Sequence, residues 1–253
     1  MWSSAPWERV AETMADIHDR LVARLDPRPA ERWLDVGTGN GAVAVRAARA
    51  GAEVIGLDLA PALIKTARRL AAQQGLSIGF DVGDAEHLPY ADASFDVVAS
   101  AHGVVFAADH AAAARELARV CRAGGRLGIT AWRAGGAGDD FAGMLARFQP
   151  PSPPGPSPGD WGREQHTTEL LGDAFELEFV PDVWIQTGES GEAISKLLTS
   201  CSPPFKTLAE SLDPERRAEL HIAWVDYYES YRHHDAIRAP NEYMLILGTR
   251  RAI

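Results

Sequence analysis

The run Leu34-Asp35-Val36-Gly37-Thr38-Gly39-Asn40-Gly41 carries the densest chemistry in the chain. An apolar strand ends in a carboxylate, and three glycines follow at alternate positions. Residues without a Cβ let the backbone approach a ligand closely and adopt positive φ. The helix predicted from Ala42 leaves its first amides free, so they face whatever rests on the turn. Alone, this spacing fits several nucleotide-type ligands.

Two further acidic positions sharpen it. Asp58 closes a second strand, Glu53 to Leu57, about 20 residues after the glycines, where doubly wound folds use an acidic side chain on the two hydroxyls of an adenosine ribose. The same carboxylate could instead cap the helix that starts at Pro61. Asp84, in Gly83-Asp84-Ala85, closes a third strand at the edge where open α/β sheets bind ligands, and it could accept a hydrogen bond from an adenine amino group.

Elements that position these residues are legible around them. A helix is predicted over Pro6 to Leu25, with Val10, Met14, Ile17, Leu21, Val22 and Leu25 at helical spacing. Strand Arg32–Val36, helix Ala42–Ala50, strand Glu53–Leu57, helix Pro61–Gln74 and strand Ser77–Val82 follow. Strand Phe95–Ser100, helix Ala111–Cys121 and strand Arg126–Ala131 complete the first half. This alternation implies βαβ units on a parallel sheet with right-handed crossovers. Further on, Gln149 to Gly159 reads QPPSPPGPSPG, an exposed loop or lid, because proline lacks an amide donor. Helices near Thr167–Asp173, Gly191–Thr199 and Pro214–Tyr231 are predicted, with strands near Glu176–Thr187 and Tyr243–Thr249.

Leu34 to Gly41, Gly56-Leu57-Asp58-Leu59, Gly83-Asp84-Ala85-Glu86-His87-Leu88-Pro89 and Phe95-Asp96-Val97-Val98 resemble, in order and spacing, the successive motifs of class I S-adenosylmethionine-dependent methyltransferases. The run Ser100 to Ala107, Arg119-Val120 and Gly124-Gly125-Arg126-Leu127 is similar to the ubiquinone/menaquinone-type branch. The likeness implies an α/β, Rossmann-like, doubly wound fold: a mostly parallel seven-stranded sheet with a reversed last strand and a small cap. Expected boundaries are an N-terminal helix over 1–29, a cofactor-binding core over 30–133, cap, lid and substrate-side elements over 134–240, and a last strand over 241–253, all in one domain.

The likeness also assigns roles. Asp35, Gly37, Thr38, Gly39 and Gly41 would line the methionine and ribose side, and Asp58 would hold the ribose hydroxyls with Leu59 packed on adenine. Asp84 and the Ala85 amide would read the adenine edge, and Ala101 with His102 would approach the methionine amine and the sulfonium. Where the family often has Ser or Thr, this chain has Ala60 before Pro61. The reaction implied is in-line displacement of a methyl group, with placement of the two reactants as the protein's main contribution. His102 would face the transferred methyl, and a histidine with an ordinary pKa near 6.5 could take the acceptor's proton. His110, His166 and His221 are weaker candidates for a base. His233 and His234 read as a solvated face.

An acceptor pocket is expected from the second half with the N-terminal helix, drawing on Trp7, Trp132, Trp184, Phe205, Trp224, Tyr227, Tyr228 and Tyr231. The formal charge of −10 over 253 residues disfavours a nucleic-acid partner. No apolar run approaches the roughly 20 residues of a membrane span, and the N-terminus has no signal-peptide pattern. Cys121 and Cys201 suit a reduced cytoplasmic protein, and no histidine or cysteine spacing suggests a metal. The composite expectation is a cytoplasmic enzyme acting on a small-molecule acceptor, with oligomeric state open. Rivals are a non-catalytic cofactor-binding protein and a nicotinamide-dependent oxidoreductase. The latter normally spaces its glycines Gly-x-Gly-x-x-Gly, and Gly41 falls one place early.

Overall fold

The computed structural model describes residues 6–133, 135–150 and 155–252. The N-terminal helical pattern forms two helices, α1 (Glu8–Thr13) and α2 (Ala15–Leu25). At Met14 the backbone leaves the helical region, with φ −96° and ψ 15°. The alternating half then runs β1 (Arg32–Val36), α3 (Ala42–Arg49), β2 (Glu53–Asp58), α4 (Pro61–Gln73), β3 (Gly79–Val82), β4 (Phe95–Ala101), α5 (His110–Val120) and β5 (Cys121–Trp132). The second half holds α6 (Gly136–Ala146), α7 (Glu164–Leu171), β6 (Phe175–Gly188), α8 (Gly191–Cys201), α9 (Pro203–Ser211), α10 (Pro214–Glu229), β7 (Arg232–His233) and β8 (Ala236–Arg250).

Among the described residues the strands follow the order β3-β2-β1-β4-β5-β8-β6, with the short β7 paired to β8 as an eighth. Neighbours from β3 to β5 are parallel, and β8 runs antiparallel to β5. The expected Rossmann-like α/β sheet with its reversed last strand is therefore present. The chain works outward from β1 to β3 and then returns to β4, which makes the β1–β4 junction the switch point where such sheets bind ligands.

Helices cover both faces, as buried parallel strands require. Alternate residues of β5 point opposite ways. On one face Leu127 and Ile129 join Leu34, Val98, Leu117 and Val120 in the main core. On the other, Gly128 lies under α2 so closely that a Cβ there would stand 2.7 Å from Leu25 and 2.8 Å from Leu21. Arg126 fixes the same contact by donating to the Leu25 carbonyl at 3.0 Å.

The chain divides into two compact units. One holds most of the sheet and comprises Ala15–Arg133, Pro156–Asp182 and the residues from Tyr243 onward. The other takes the first fourteen residues, 134–155 and Val183–Glu242. This differs from the expected boundaries. Pro156–Asp182 belongs with the sheet because Trp161, Leu171 and Phe175 are buried in its core. The reversed strand also begins at Ala236 rather than Tyr243.

In the other unit Phe141, Phe205, Trp224 and Tyr228 pack edge to face and tilted, for example Phe205 on Trp224 with centroids 5.0 Å apart. Two of its helices were not expected. α6 carries three glycines, a poor helix composition, and gains its place through Phe141. α9 opens on Pro203-Pro204, which the first turn of a helix tolerates. Of the proline-rich segment, residues 151–154 and the lid expected with them lie outside the described residues. No helix among the described residues is long and apolar enough to cross a membrane.

Candidate functional site

Four turns at the carboxyl ends of β1 to β4 are tied into one surface by backbone geometry. After β1, Gly37, Gly39 and Gly41 have φ of +67°, +56° and +82°. That is left-handed backbone, in which a glycine lacks the steric penalty of other residues. The requirement at Gly37 is also steric: a Cβ there would stand 2.6 Å from the Cα of Gly103, in the turn after β4. The two turns meet backbone to backbone. Ser100 closes the junction, donating to the Val36 carbonyl at 2.6 Å and accepting from the Val104 amide at 2.8 Å.

Asp35 lies beneath the glycine turn, nearly inaccessible. Its Oδ2 accepts from the Thr38 hydroxyl at 2.6 Å and from the Ala44 amide in α3 at 3.1 Å. Burial raises its pKa to about 7, against the lowering effect of those two donors, and the nearby Asp58 raises it further. Asp58 ends β2 and spans two turns. Its Oδ2 accepts from the Gly39 amide at 2.9 Å and its Oδ1 from the Ala60 amide at 2.8 Å. The N-cap of α4 is Ala60, with no side-chain bond, so Asp58 is not the helix cap. Its pKa too is raised by burial. Neither carboxylate has a cationic partner among the described residues, and Asp35 Oδ1 and both oxygens of Asp58 keep lone pairs for a ligand.

Leu59 follows, 67% exposed, a large apolar side chain on the open edge. The third turn joins through Gly83, whose amide donates to the Asp58 carbonyl at 3.1 Å. Asp84 and Ala85 are half-buried there, and Asp84 Oδ1 accepts from the Glu86 amide at 3.0 Å. All the sequence-predicted cofactor residues thus sit on adjacent turns: Asp35, Gly37, Thr38, Gly39, Gly41, Asp58, Leu59, Asp84, Ala85, Ala101 and His102.

His102 differs from the sequence expectation in its ionisation. Its φ is +52°, a conformation rare outside glycine that persists where surrounding structure enforces it. Its amide donates to the Thr130 carbonyl at 3.1 Å, and its Nδ1 lies 2.9 Å from the Thr130 hydroxyl. Its ring lies on Trp132, centroids 4.2 Å apart. Burial pushes its pKa down to about 3 rather than the ordinary 6.5, with His18 adding to the effect. Its Nε2 is buried and unpartnered.

Sequence reading missed Ser100, Thr130 and His18. The first two carried the only available signal, a polar residue inside an apolar strand. His18 lies on the buried stripe of α2 with Ile17, Leu21, Val22 and Leu25, and no sequence motif singles it out.

The other histidines lie elsewhere. His110 Nδ1 and His166 Nε2 are 3.0 Å apart, His221 pairs with Glu192 at 2.9 Å, and His233 and His234 are exposed. Among the described residues no three His, Cys, Asp or Glu side chains gather as a metal site.

Residues 34–129 match a family profile described as a methyltransferase domain. An uncharacterised protein of Mycobacterium tuberculosis is 44% identical over 178 residues, 68% of this chain and 64% of that protein. The match therefore spans less than two thirds of that relative's length. The methyltransferase GfsG of Streptomyces halstedii is 33% identical over 224 residues, 87% of this chain and 77% of that one. The crystal structure of the YcgJ protein from Bacillus subtilis shares the fold, with a TM-score of 0.64 at 22% identity, covering 93% of this chain and 98% of that one.

Proposed function

The chain belongs to the S-adenosylmethionine-dependent methyltransferases, with S-adenosylmethionine as cofactor, and from that premise we propose that it methylates a small, apolar or aromatic acceptor by in-line displacement. One observation carries the reading: Asp58, Gly39 and the Asp35–Thr38 pair are bonded into a single cradle at the sheet's switch point.

The cradle fits the cofactor on its own terms. Two buried carboxylates with raised pKa values and no cation of their own suit a ligand that brings an ammonium and a sulfonium. Leu59 offers an apolar shelf that a flat base would cover. When bound, S-adenosylmethionine supplies an electrophilic methyl group. The protein's part is placement, which can be worth roughly 7–11 kcal/mol. Gly37, Gly39 and Gly41 let the backbone approach, and Asp35 and Thr38 hold the turn in shape. Asp58 takes the ribose hydroxyls, while Asp84 and the Ala85 amide read the adenine edge. Ala101 and His102 stand on the acceptor side, where His102 acts as the catalytic group.

Trp132 against His102 supports an acceptor with an apolar or aromatic face. The quinone-type branch is one version of this chemistry. Cys121 and Cys201, both buried and unpaired, suit a reducing cytoplasm.

Calorimetric titration with S-adenosylmethionine, S-adenosylhomocysteine, NADH and NADPH tests the reading. Micromolar binding of S-adenosylmethionine and S-adenosylhomocysteine, abolished by Asp58→Ala, is expected. Binding of a nicotinamide cofactor instead, or of none of the four, would overturn it.

A further inference from the structure

A second histidine joins His102, and it comes from the N-terminal side of the sheet unit. α2 runs antiparallel to β5: Arg126 reaches the carbonyl of Leu25, and Gly128 lies under Leu21 and Leu25. One helical turn further back, about 5 Å along α2, corresponds to two residues further along β5, about 6.6 Å. That places His18 over Thr130, the residue that holds His102. The electrostatic influence of His18 on His102 has the same origin.

Both imidazoles are buried, His18 at 6% exposure and His102 at 9%. Each has one ring nitrogen with no hydrogen-bond partner, Nδ1 of His18 and Nε2 of His102. A buried polar atom left unbonded costs about 1–3 kcal/mol, and here two such atoms occur on facing elements beside the reacting edge. Burial lowers the pKa of His18 to about 4, assisted by Arg46 and opposed by Asp19. Both rings are therefore neutral at physiological pH. Around them stand Trp132 and, with ring centroids 6.4 Å from His102, Tyr243. Tyr243 is held by donating to Asp182 at 2.9 Å, and Asp182 in turn pairs with Arg20 of α2.

We propose that His18 and His102 form the polar anchor of the acceptor site, and that the acceptor is a planar hydroxyl-bearing molecule methylated on that oxygen. This rests on the methyltransferase reading above. With Nδ1 of His102 donating to Thr130, Nε2 presents its lone pair to the acceptor hydroxyl, and His18 hydrogen-bonds the acceptor beside it. In the transfer an O–C bond forms and the C–S bond breaks, its electron pair returning to sulfur. The hydroxyl proton passes to His102 Nε2.

A weakly basic imidazole suits this order of events. A neutral hydroxyl becomes a strong acid once its oxygen is methylated, so even a feeble base receives the proton downhill. A phenolic hydroxyl is also a stronger hydrogen-bond donor to an imidazole nitrogen than an aromatic amine, so the pair favours oxygen over nitrogen.

Nitrogen-15 NMR of the full chain, labelled at histidine and saturated with S-adenosylhomocysteine, tests this with 2-naphthol, 2-naphthylamine and naphthalene as probes at millimolar concentration. The naphthol is expected to shift the His18 Nδ1 and His102 Nε2 resonances, and neither the amine nor the hydrocarbon to match it. His18→Gln is expected to weaken naphthol binding about tenfold, the worth of one hydrogen bond, with S-adenosylhomocysteine affinity unchanged. If S-adenosylhomocysteine binds but naphthol moves neither resonance, or moves them no more than the amine does, the acceptor proposal falls and the cofactor reading stands. If S-adenosylhomocysteine does not bind, both fall.

Discussion

Ionisation of the buried Asp35 works against the folded state. Burial raises its folded pKa to about 7, above the ordinary 3.8 of an unfolded chain. The stability it contributes is therefore fully present below the unfolded value and is lost as pH rises through the folded one. Asp35→Asn keeps an oxygen for Thr38 and Ala44 and removes the titration. The variant should gain on the wild type from pH 4 upward and level off near pH 8, by about 2–4 kcal/mol. Thermal melts of both proteins across that range check the sign, and a constant gap would show that Asp35 does not titrate there. His18 and His102 work the other way. Their folded values lie below the unfolded 6.5, so their contribution is present above 6.5 and is lost as pH falls toward 4 and 3. The glycine turn and the acidic strand ends at the carboxyl edge of the sheet were legible from residue type and spacing. The low basicity of His102 was not, because it arises from the packing of α2 and Trp132 around the ring.

At the scale of elements, the turns after β1 and β4 are one joint. Gly103→Ala would set a Cβ 2.8 Å from the Cα and carbonyl oxygen of Gly37 and from the Val36 carbonyl oxygen, all backbone atoms that cannot swing aside. The expected cost is about 1–3 kcal/mol in stability, with weaker S-adenosylhomocysteine binding, read by chemical denaturation and calorimetry. An unchanged affinity would show that the first turn keeps its shape without the second. Strands β1, β2 and β4 formed within a residue of their predicted ends, since apolar runs closed by Gly or Asp leave little freedom. α6 and α9 escaped detection because their glycines and leading prolines argue against helix locally. Phe141 and Phe205, packed on Trp224, override that preference through contacts distant in sequence.

At the scale of the molecule, residues 156–182 complete the sheet unit from beyond the proline-rich segment. Trp161 is fully buried there with Leu171 and Phe175. Trp161→Ala should lower stability by about 3–5 kcal/mol, measured by denaturant unfolding of the whole chain. A loss under 1 kcal/mol would place this segment outside the cooperative core. The mostly parallel sheet with its reversed last strand was foreseeable, but the assignment of 156–182 was not, because a buried tryptophan and an exposed one look alike in a sequence.

The contact of Gly37 with Gly103 has a consequence for engineering. Two backbones pressed together leave no room for a side chain at either position, so selection for folded protein from a random library should return glycine at both.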